Sequence, residues 1–405
     1  MHEKTEQKNI IYWILAIVVA FYSGSAVSVI SSTYRNTIIY VAAFVVVIRV
    51  LEHEFRVSKS LRTVFLLLFS VMIFITAIAS NYSTFYLRIF ATIYVAYEIS
   101  EKVDGSILID VYIKFMTFVT ALALAGYFAV NVLGLGDKLP KFTNLNDVAY
   151  RGILLFNYIE SIPERNCALF WEPGLFATAL TFALVFEIIY VNHKNIPRMI
   201  LFVAGIVTAN STAGYVMLAL LFVLASLKIE PKQKLLKVLL SFIQIMVVII
   251  AIVTFLNLDK ILLASGLSQN EMFAKLMSGT LSESQRGRAV QDSFSLFLDS
   301  PIWGNGIVKI SQSMKYIADT ATSIYAMSIF GFLGCGYSLF FIVGGLKQRR
   351  VNLMTRIVLI IIIFGILNKE PHIDLLFTWV FGFFLFKVAE EDRNKIVEEN
   401  KNVCI

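Results

Sequence analysis

In the stretch RNCALFWEPGLFATAL, residues 165–180, two charged side chains directly precede a long apolar run. Arg165 and Glu172 stand seven residues apart, and Pro173 and Gly174 follow directly. Proline is tolerated in the first turn of a helix, so this pattern predicts an apolar helix that begins near Glu172. Charges are costly within hydrocarbon, and two of them at the start of such a helix need a reason.

The composition is that of an integral membrane protein. Of the 405 residues, 58% are hydrophobic and only 16% are charged, whereas soluble domains contain about 25% charged residues. Many long apolar runs predict a multi-spanning helical bundle. The net charge of +7 gives no reason to expect nucleic acid as a partner, and the three cysteines show neither metal nor disulfide spacing.

Twelve apolar segments are predicted as membrane-spanning helices. Three of them, 37–51, 197–209 and 354–368, are near the lower limit of length. The twelve segments cover residues 10–30, 37–51, 62–80, 82–99, 109–133, 172–191, 197–209, 212–227, 235–256, 321–346, 354–368 and 371–388.

Lysine and arginine concentrate on one side of the predicted membrane, which sets the orientation by the positive-inside rule. Only Arg35 and Lys369 lie in the short external loops, and the short polar start of the chain predicts a cytoplasmic N-terminus without a signal peptide. Both termini are therefore predicted to be cytoplasmic, and the two longest loops, 134–171 and 257–320, to be external. The short cytoplasmic loops hold fourteen basic residues: Arg56, Lys59, Arg62, Lys102, Lys194, Arg198, Lys228, Lys232, Lys234, Lys237, Lys347, Arg349, Arg350 and Arg356.

Arg165 and Glu172 lie, in this topology, at the external mouth of the sixth segment. Each has a structural interpretation: Glu172 meets the positive end of the helix dipole, and Arg165 reaches lipid headgroups from the interface. Each also has a functional one, because arginine holds phosphate with a two-pronged fork.

The second long loop carries SESQRGRAVQDSFSLFLDSPIWGNGI, residues 282–307. Arg286 and Arg288 precede a predicted amphipathic helix, which Pro301 and the turn at 304–306 close. An interfacial helix with two arginines at lipid phosphates is the structural interpretation. Together with the first loop, these arginines could instead hold a lipid diphosphate. The apolar residues at helical spacing are Val290, Phe294, Phe297 and Leu298.

Arg88 and Glu187 are among the polar residues inside predicted spans. Arg88 is in the outer half of the fourth segment, where it either faces an external cavity or reaches the outer headgroups. Glu187 lies near the cytoplasmic end of the sixth segment, where an interfacial role is the simplest interpretation.

Three motifs together resemble the bacterial O-antigen polymerases and the wider superfamily of O-antigen polymerases and ligases. The pattern R-x6-EPG-x-F-A begins at Arg165, and NSTAGY spans residues 210–215 at an external turn. The third motif, SQRGRAV followed by DSPIWGNG, is in the second long loop. The resemblance covers the layout of most of the chain, while the motifs themselves cover about forty residues.

This resemblance implies a fold, a reaction and a location. The fold is an all-α, GT-C-like polytopic bundle of about twelve transmembrane helices with two large periplasmic loops, in the bacterial inner membrane. The enzyme is a metal-independent glycosyltransferase without a cofactor, and its active site faces the periplasm. Its donor is an oligosaccharide on undecaprenyl diphosphate. Its partners are membrane lipids and a chain-length regulator protein, and nucleic acid is not among them.

The reaction implied by the resemblance assigns roles to the candidate residues. Cationic groups must stabilise the departing diphosphate, and Arg165, Arg286 and Arg288 are predicted for that role. By its spacing to Pro301, Arg286 fits the family arginine better than Arg288.

A base must take the proton of the acceptor hydroxyl. Glu172 is predicted to be that base or to orient an arginine. Asp319 and His372 are rival bases, and the ordinary pKa of histidine suits the role. A structural role at a helix end is the alternative for His372.

The sequence favours a polymerase over a ligase. Ligases of this superfamily resemble one another in a His-Asn pair before the span that follows the large loop, whereas residues 318–331 contain no histidine. A ligase remains an alternative, and so does a polysaccharide flippase or secondary transporter with twelve spans. Carriers usually hold functional polar groups at the membrane midplane, whereas here they concentrate in external loops.

The predicted topology is tested by reporter fusions. Fusions at Lys234 and Arg349 should report cytoplasm, and those at Asn146 and Lys275 should report periplasm, because of the basic bias between the two sides. A cytoplasmic signal at Lys275 would remove the catalytic interpretation of the second loop.

Overall fold

The structure is a computed structural model, which describes residues 18–19, 22, 24–51, 60–80, 82–145, 147–153, 155–191, 193–228, 289–313, 321–369 and 372–403. It is mostly helical. The helices are α1 Ser32–Leu51, α2 Leu61–Ala79, α3 Thr84–Lys102, α4 Gly105–Asn131, α5 Pro173–Ile189, α6 Ile196–Ala209, α7 Thr212–Ser226, α8 Gly306–Ser313, α9 Thr322–Phe330, α10 Cys335–Leu346, α11 Leu353–Leu367 and α12 Leu376–Val403. Residues 289–299 are helical as well.

Several helices begin at a residue whose side chain accepts a hydrogen bond from the first turn, which satisfies a backbone N–H that has no partner within the helix. The capping residues are Ser60 of α2, Ser83 of α3, Asp104 of α4, Asn195 of α6 and Asn352 of α11. Helix α5 is different, since Pro173 follows its N-cap residue, Glu172, and no side chain caps it.

Most of the predicted spans that fall within the described residues correspond to helices. Three are long and apolar enough to cross a membrane by themselves, namely Leu61–Ala79, Gly105–Asn131 and Thr322–Leu346, the last passing through a 3-10 turn at Gly331–Gly334. Shorter apolar helices include Pro173–Ile189, Ile196–Ala209 and Leu353–Leu367. These features agree with a helical membrane protein, and the predicted segment 235–256 lies outside the described residues.

The first predicted span, 10–30, extends too far. Within its described part, Ser25 forms an isolated antiparallel bridge with Phe170, and Ala26–Val29 form a 3-10 helix. The reason is tertiary pairing, because the backbone N–H of Ala26 donates to the carbonyl oxygen of Leu169 at 2.8 Å. Apolar composition alone did not reveal this pairing.

The first long loop contains a small antiparallel sheet, which the prediction of an all-α fold missed. Its strands are β1 Lys141–Thr143, β2 Ala149–Ile153 and β3 Phe156–Ile159, in the order β1-β2-β3. In the β2–β3 pair, Tyr150 lies opposite Ile159 and Ile153 opposite Phe156. The sheet leads directly into the segment that holds Arg165.

The described part of the second long loop confirms the predicted helix and turn. Residues 289–299 are helical, with Phe297 buried and Phe294 and Leu298 exposed. The turn that follows contains Gly304 at φ +75°. A Cβ at that position would overlap the carbonyl oxygen of Ile329, so glycine is required there.

Aromatic side chains fill the core between α2, α10 and α12. Trp379 is 1% exposed, and its ring contacts those of Phe69, Tyr337 and Phe340 edge-on or tilted. Its indole N–H donates to the carbonyl oxygen of Ile373 at 2.9 Å, which satisfies the polar atom that burial would otherwise leave without a partner.

Glu187 is buried in an ion pair rather than placed at an interface. Its side chain is 0% exposed, and both carboxylate oxygens accept hydrogen bonds from Nη2 of Arg198, at 2.9 and 2.7 Å. The backbone N–H of Asn195 also donates to it, at 2.8 Å. Arg198 is one of the basic residues that predict the cytoplasmic side. Through this ion pair, it also links α5 to the start of α6.

Removing Arg198 should destabilise the protein strongly. In Arg198→Ala the Glu187 carboxylate stays buried without its cation, which costs about 3 kcal/mol. The measurement is the Tm of the detergent-purified protein, with Lys114→Ala as the control, because Lys114 pairs with Asp110 on an exposed helix surface. A Tm for Arg198→Ala equal to that of the control would contradict a structural role for the pair.

Candidate active site

The segment of residues 165–172, here called the clamped segment, connects β3 to α5 and carries both charges of the opening motif. Its backbone pairs with the N-terminal part of the chain, since the N–H of Trp171 donates to the carbonyl oxygen of Gly24 at 2.9 Å. From the sheet, the hydroxyl of Tyr150 donates to the carbonyl oxygen of Trp171 at 3.0 Å. These contacts fix the path of the chain immediately before Glu172.

Ala168, in the middle of the clamped segment, has a left-handed backbone conformation with φ +51°. That conformation is unfavourable for a residue with a Cβ, and it persists only where its surroundings impose it. Here the backbone N–H and the side-chain amide of Asn157 both donate to the carbonyl oxygen of Ala168, each at 2.7 Å. Its N–H in turn donates to Oδ1 of Asn166 at 3.0 Å.

Asn166 joins the clamped segment to the turn that holds the NSTAGY motif. It is 1% exposed, its backbone N–H donates to the carbonyl oxygen of Thr208 at 3.0 Å, and its side-chain amide donates to Oγ1 of the same residue at 3.2 Å. Asn210 ends α6 in the left-handed conformation and accepts a hydrogen bond from the hydroxyl of Tyr215 at 3.2 Å. Two motifs that are distant in sequence thus meet at one place.

Arg165 is half-buried at this junction. Its Nε is buried without a hydrogen-bond partner, and within the described part of the chain its guanidinium makes no ion pair. It lies within electrostatic range of Tyr215 on α7. A half-buried guanidinium without a counter-ion has donors free to bind an anionic ligand.

Glu172 is the half-buried N-cap residue of α5, but its side chain accepts no capping hydrogen bond from the helix. Burial raises the pKa of the neighbouring Cys167 thiol to about 12, Arg165 opposes that rise and Glu172 adds to it. Both charges of the motif therefore act on one buried thiol from the same junction. Arg165 and Glu172 thus both lie within electrostatic range of Cys167.

Lys369 is a cation at this site that the sequence analysis treated only as a loop residue. It is 6% exposed, and its ammonium donates to the carbonyl oxygen of Gly174 in the first turn of α5 at 3.2 Å. As one of only two basic residues in the short external loops, it was already an exception to the charge bias. That exception was the signal by which the sequence could have revealed it.

His372 lies in the connection between α11 and α12 and is fully buried. Its Nδ1 bonds the hydroxyl of Thr378 at 2.9 Å, and its backbone N–H donates to Oγ1 of Thr322 at 3.0 Å. Burial, with Lys369 adding to it, lowers its pKa to about 3. The ring is therefore neutral at physiological pH and only weakly basic, which favours the structural interpretation left open by the sequence.

A cavity of about 10 Å³ separates His372 from α5. His372 Nε2 and Oγ1 of Thr178 are both buried and without a hydrogen-bond partner, and both residues line this cavity together with Phe170. A volume of this size holds at most one water molecule, so a sugar hydroxyl does not reach the imidazole in this conformation.

Arg88 forms an ion pair with Asp374, which lies in the connection between α11 and α12. Its Nη2 lies 3.2 Å from Oδ2 of Asp374, and its guanidinium stands 5.5 Å from the ring centre of Phe85. The side chain is thus held inside the protein by a carboxylate rather than extended alone to the headgroups.

Three of the predicted site residues, Arg286, Arg288 and Asp319, lie outside the described residues. Their roles stay predictions. Of the predicted residues that the structure describes, Glu172 and His372 both lie around the start of α5, and Arg165 lies at the beginning of the clamped segment that leads into it.

Comparison with known proteins adds one finding. A model of the O-antigen ligase family matches residues 198–328. This match confirms the resemblance to the O-antigen polymerase and ligase superfamily. No curated protein and no solved structure matches the chain.

The matched region covers about a third of the chain and contains the NSTAGY turn and the helix at 289–299. Members of this family are glycosyltransferase-like enzymes, polymerases or ligases. The apolar helices agree with a multi-pass membrane protein, and the partial match indicates similarity to the O-antigen ligase family. Arg165, Glu172 and His372 lie outside the matched residues, so their roles depend on geometry and motif resemblance.

Proposed function

We propose that this protein is an O-antigen polymerase, which transfers the growing glycan from undecaprenyl diphosphate to the next lipid-linked repeat unit on the periplasmic face. The observation that carries this proposal is Arg165. It is a half-buried arginine, without an ion pair among the described residues, on the same segment as Glu172, and tertiary hydrogen bonds fix that segment. No described carboxylate forms an ion pair with this guanidinium, so it is available to bind an anionic group of a substrate.

The donor diphosphate is the anion that fits this place. When the bond between the anomeric carbon and the phosphate oxygen breaks, the electron pair leaves with the diphosphate, and negative charge grows there. A guanidinium that is already held in position stabilises that charge without reorganising. In the proposal Arg286 and Arg288 from the second loop bind the diphosphate together with Arg165, and Lys369 supplies a further positive charge near the start of α5.

Glu172 is the preferred base in this proposal. The acceptor hydroxyl gives its proton to a carboxylate as its oxygen bonds to the anomeric carbon, and a half-buried carboxylate at a helix start is both accessible and fixed. His372 is less suited, because its pKa is about 3 and its ring faces only a very small cavity. Asp319 is the alternative candidate for the base.

A ligase, which would transfer the glycan to lipid A–core, is the second candidate. It is favoured by the finding that the matching model is the one of the O-antigen ligase family. The polymerase is supported by the absence of histidine from residues 318–331, where ligases of the superfamily resemble one another in a His-Asn pair. A chain-length regulator protein is proposed as a partner for the polymerase only.

Substitutions at the two charges test the assigned roles. Glu172→Gln removes the base and should lower the rate of transfer by about 10²-fold or more, with Glu172→Asp in between. Arg165→Lys keeps the charge but loses the planar fork, so it should lose most of the activity. The measurement is the rate of polymer formation at matched protein levels in the membrane.

Matched controls come from the sheet that precedes the clamped segment. Glu160→Gln and Arg151→Lys alter an ion pair at its surface, where Nε of Arg151 lies 2.9 Å from Oε1 of Glu160. Surface pairs contribute little, so both controls should retain activity. A wild-type rate for Glu172→Gln would leave Glu172 as a structural residue and make Asp319 the next candidate.

Purified protein distinguishes the two functions directly. A polymerase should convert lipid-linked repeat units alone into a ladder of longer glycans, whereas a ligase should act only when lipid A–core is added. The ladder should persist in EDTA, because the proposal assigns the leaving-group charge to cationic side chains. If the activity depends strictly on a divalent ion, the proposed role of Arg165 is wrong.

A further inference from the structure

A polar cavity of about 530 Å³ lies at the outer end of α2, apart from the residues of the candidate active site. It is formed between the last residues of α2 and the turn that joins helical residues 289–299 to α8. Its volume is within the usual range for sites that bind small molecules, about 300–1,000 Å³. The described residues that line it are Ile78, Ala79, Ser80, Asp299, Ser300, Gly304, Asn305, Val308 and Lys309.

The wall of this cavity is organised around Asn305, which is 7% exposed. Its backbone N–H donates to the carbonyl oxygen of Ser328 at 2.9 Å, and its side-chain amide donates to the carbonyl oxygen of Leu296. Its Oδ1 accepts a hydrogen bond from the ammonium of Lys309 at 2.7 Å. Asn305 thereby fixes the position of a cation at the cavity wall.

Two hydroxyl groups of the cavity are also held in place. The hydroxyl of Ser300 donates to the carbonyl oxygen of Gly304 at 2.9 Å. On the opposite side, Oγ of Ser80 lies 2.9 Å from the hydroxyl of Tyr86, which accepts a hydrogen bond from the N–H of Ile307 at 2.9 Å. The turn and the outer end of α2 are therefore linked, and the space between them has fixed walls.

The mixture of polar groups identifies the class of ligand. A phosphate group needs hydrogen-bond donors only, and the carboxylate of Asp299 would repel it. A saccharide has hydroxyls that both donate and accept. Asp299 offers acceptors and Lys309 offers donors. The hydroxyl oxygens of Ser80 and Ser300 offer further acceptors, because their hydrogens are already donated to the carbonyl oxygens of Thr76 and Gly304. The cavity therefore suits a neutral polyhydroxylated group better than a diphosphate.

The surroundings of the cavity indicate that the saccharide is attached to a lipid. Ile78 and Ala79 of the cavity wall also line an apolar groove of about 280 Å³ that contains Phe74 and Trp303. Phe74, Ile78 and Trp303 are 67%, 71% and 55% exposed. Exposed apolar side chains are ordinary on a helix in lipid, and tryptophan is enriched at the membrane interface. The informative feature is their continuity with a polar cavity.

We propose that this cavity binds the saccharide of a lipid-linked substrate, with the lipid chain lying along the exposed face of α2. The proposal rests on the proposed function, in which lipid-linked glycans are the substrates. It adds a saccharide site whose residues, Asp299, Ser300 and Lys309, are distinct from those proposed to hold the diphosphate and to act as base. A polymerase has two lipid-linked glycans to bind, and this site holds the sugars of one of them.

The test measures binding to the full-length purified protein in nanodiscs. The probe is the lipid-linked repeat unit extracted from cells that lack this protein, and sugar-free undecaprenyl diphosphate is the comparison ligand. Asp299→Ala and Lys309→Met should each raise the Kd of the probe roughly tenfold or more, since each removes a charged hydrogen-bonding group. The Kd of the sugar-free lipid should stay unchanged in both variants.

The control variants are Asp110→Ala and Lys114→Met, which remove the same residue types from an exposed pair on α4. They should bind both ligands as the wild type does. Val308→Trp, which fills the cavity, is a second test and should weaken binding of the probe alone. Equal binding of the probe by wild type, Asp299→Ala and Val308→Trp would overturn the proposal, and so would an equal loss of both ligands.

The outcome is separable from that of the proposed function. If the wild type binds the probe through Asp299 but extends no glycan, the saccharide site stands and the polymerase does not. If the wild type forms a polymer ladder and Asp299→Ala binds the probe normally, the polymerase stands and the saccharide site does not.

Discussion

The structure around the candidate active site depends on one constraint, which is that irregular backbone near the membrane boundary must find its hydrogen bonds within the protein. The clamped segment satisfies this constraint with groups from three separate parts of the chain, including Gly24, Asn157 and Thr208. Because these bonds also impose the left-handed conformation of Ala168, the backbone has little freedom. Arg165 and Glu172 are therefore attached to a fixed support, which electrostatic stabilisation of a transition state requires.

Most helices could be predicted from the sequence because an apolar run of sufficient length has few alternatives in a membrane. The sheet β1–β3 was missed, since its strands have only three to five residues and carry no long alternating pattern. The same limit applies to residues 24–29, where pairing with residues 169–171 replaces the helix that their apolar composition suggests. The composition of a short segment gives no information about a backbone pairing partner that lies about 140 residues away along the chain.

The common location of candidate site residues could be predicted only where one short motif contains them. Arg165 and Glu172 are seven residues apart, and their common neighbourhood follows from that spacing and from the helix start. Arg88 and Asp374 are separated by 286 residues, and nothing local connects them. His372 shows the opposite problem, because its residue type suggested a base, while its burial lowers its pKa and leaves it little access.

The pairing of charges differs between the two sides of the protein, and this difference bears on where the chemistry takes place. On the predicted cytoplasmic side, Arg62 pairs with Glu101 and Glu390, Arg198 pairs with Glu187, and Arg350 pairs with Asp392. These pairs neutralise buried charges and hold helices together.

On the predicted external side, Arg88 is neutralised by Asp374 in the same way, but Arg165 has no carboxylate partner among the described residues. Among the described residues, the mostly buried arginines Arg62, Arg88 and Arg198 pair with carboxylates, whereas half-buried Arg165 does not. In the proposed function, an anionic substrate that arrives from the external side would account for that exception.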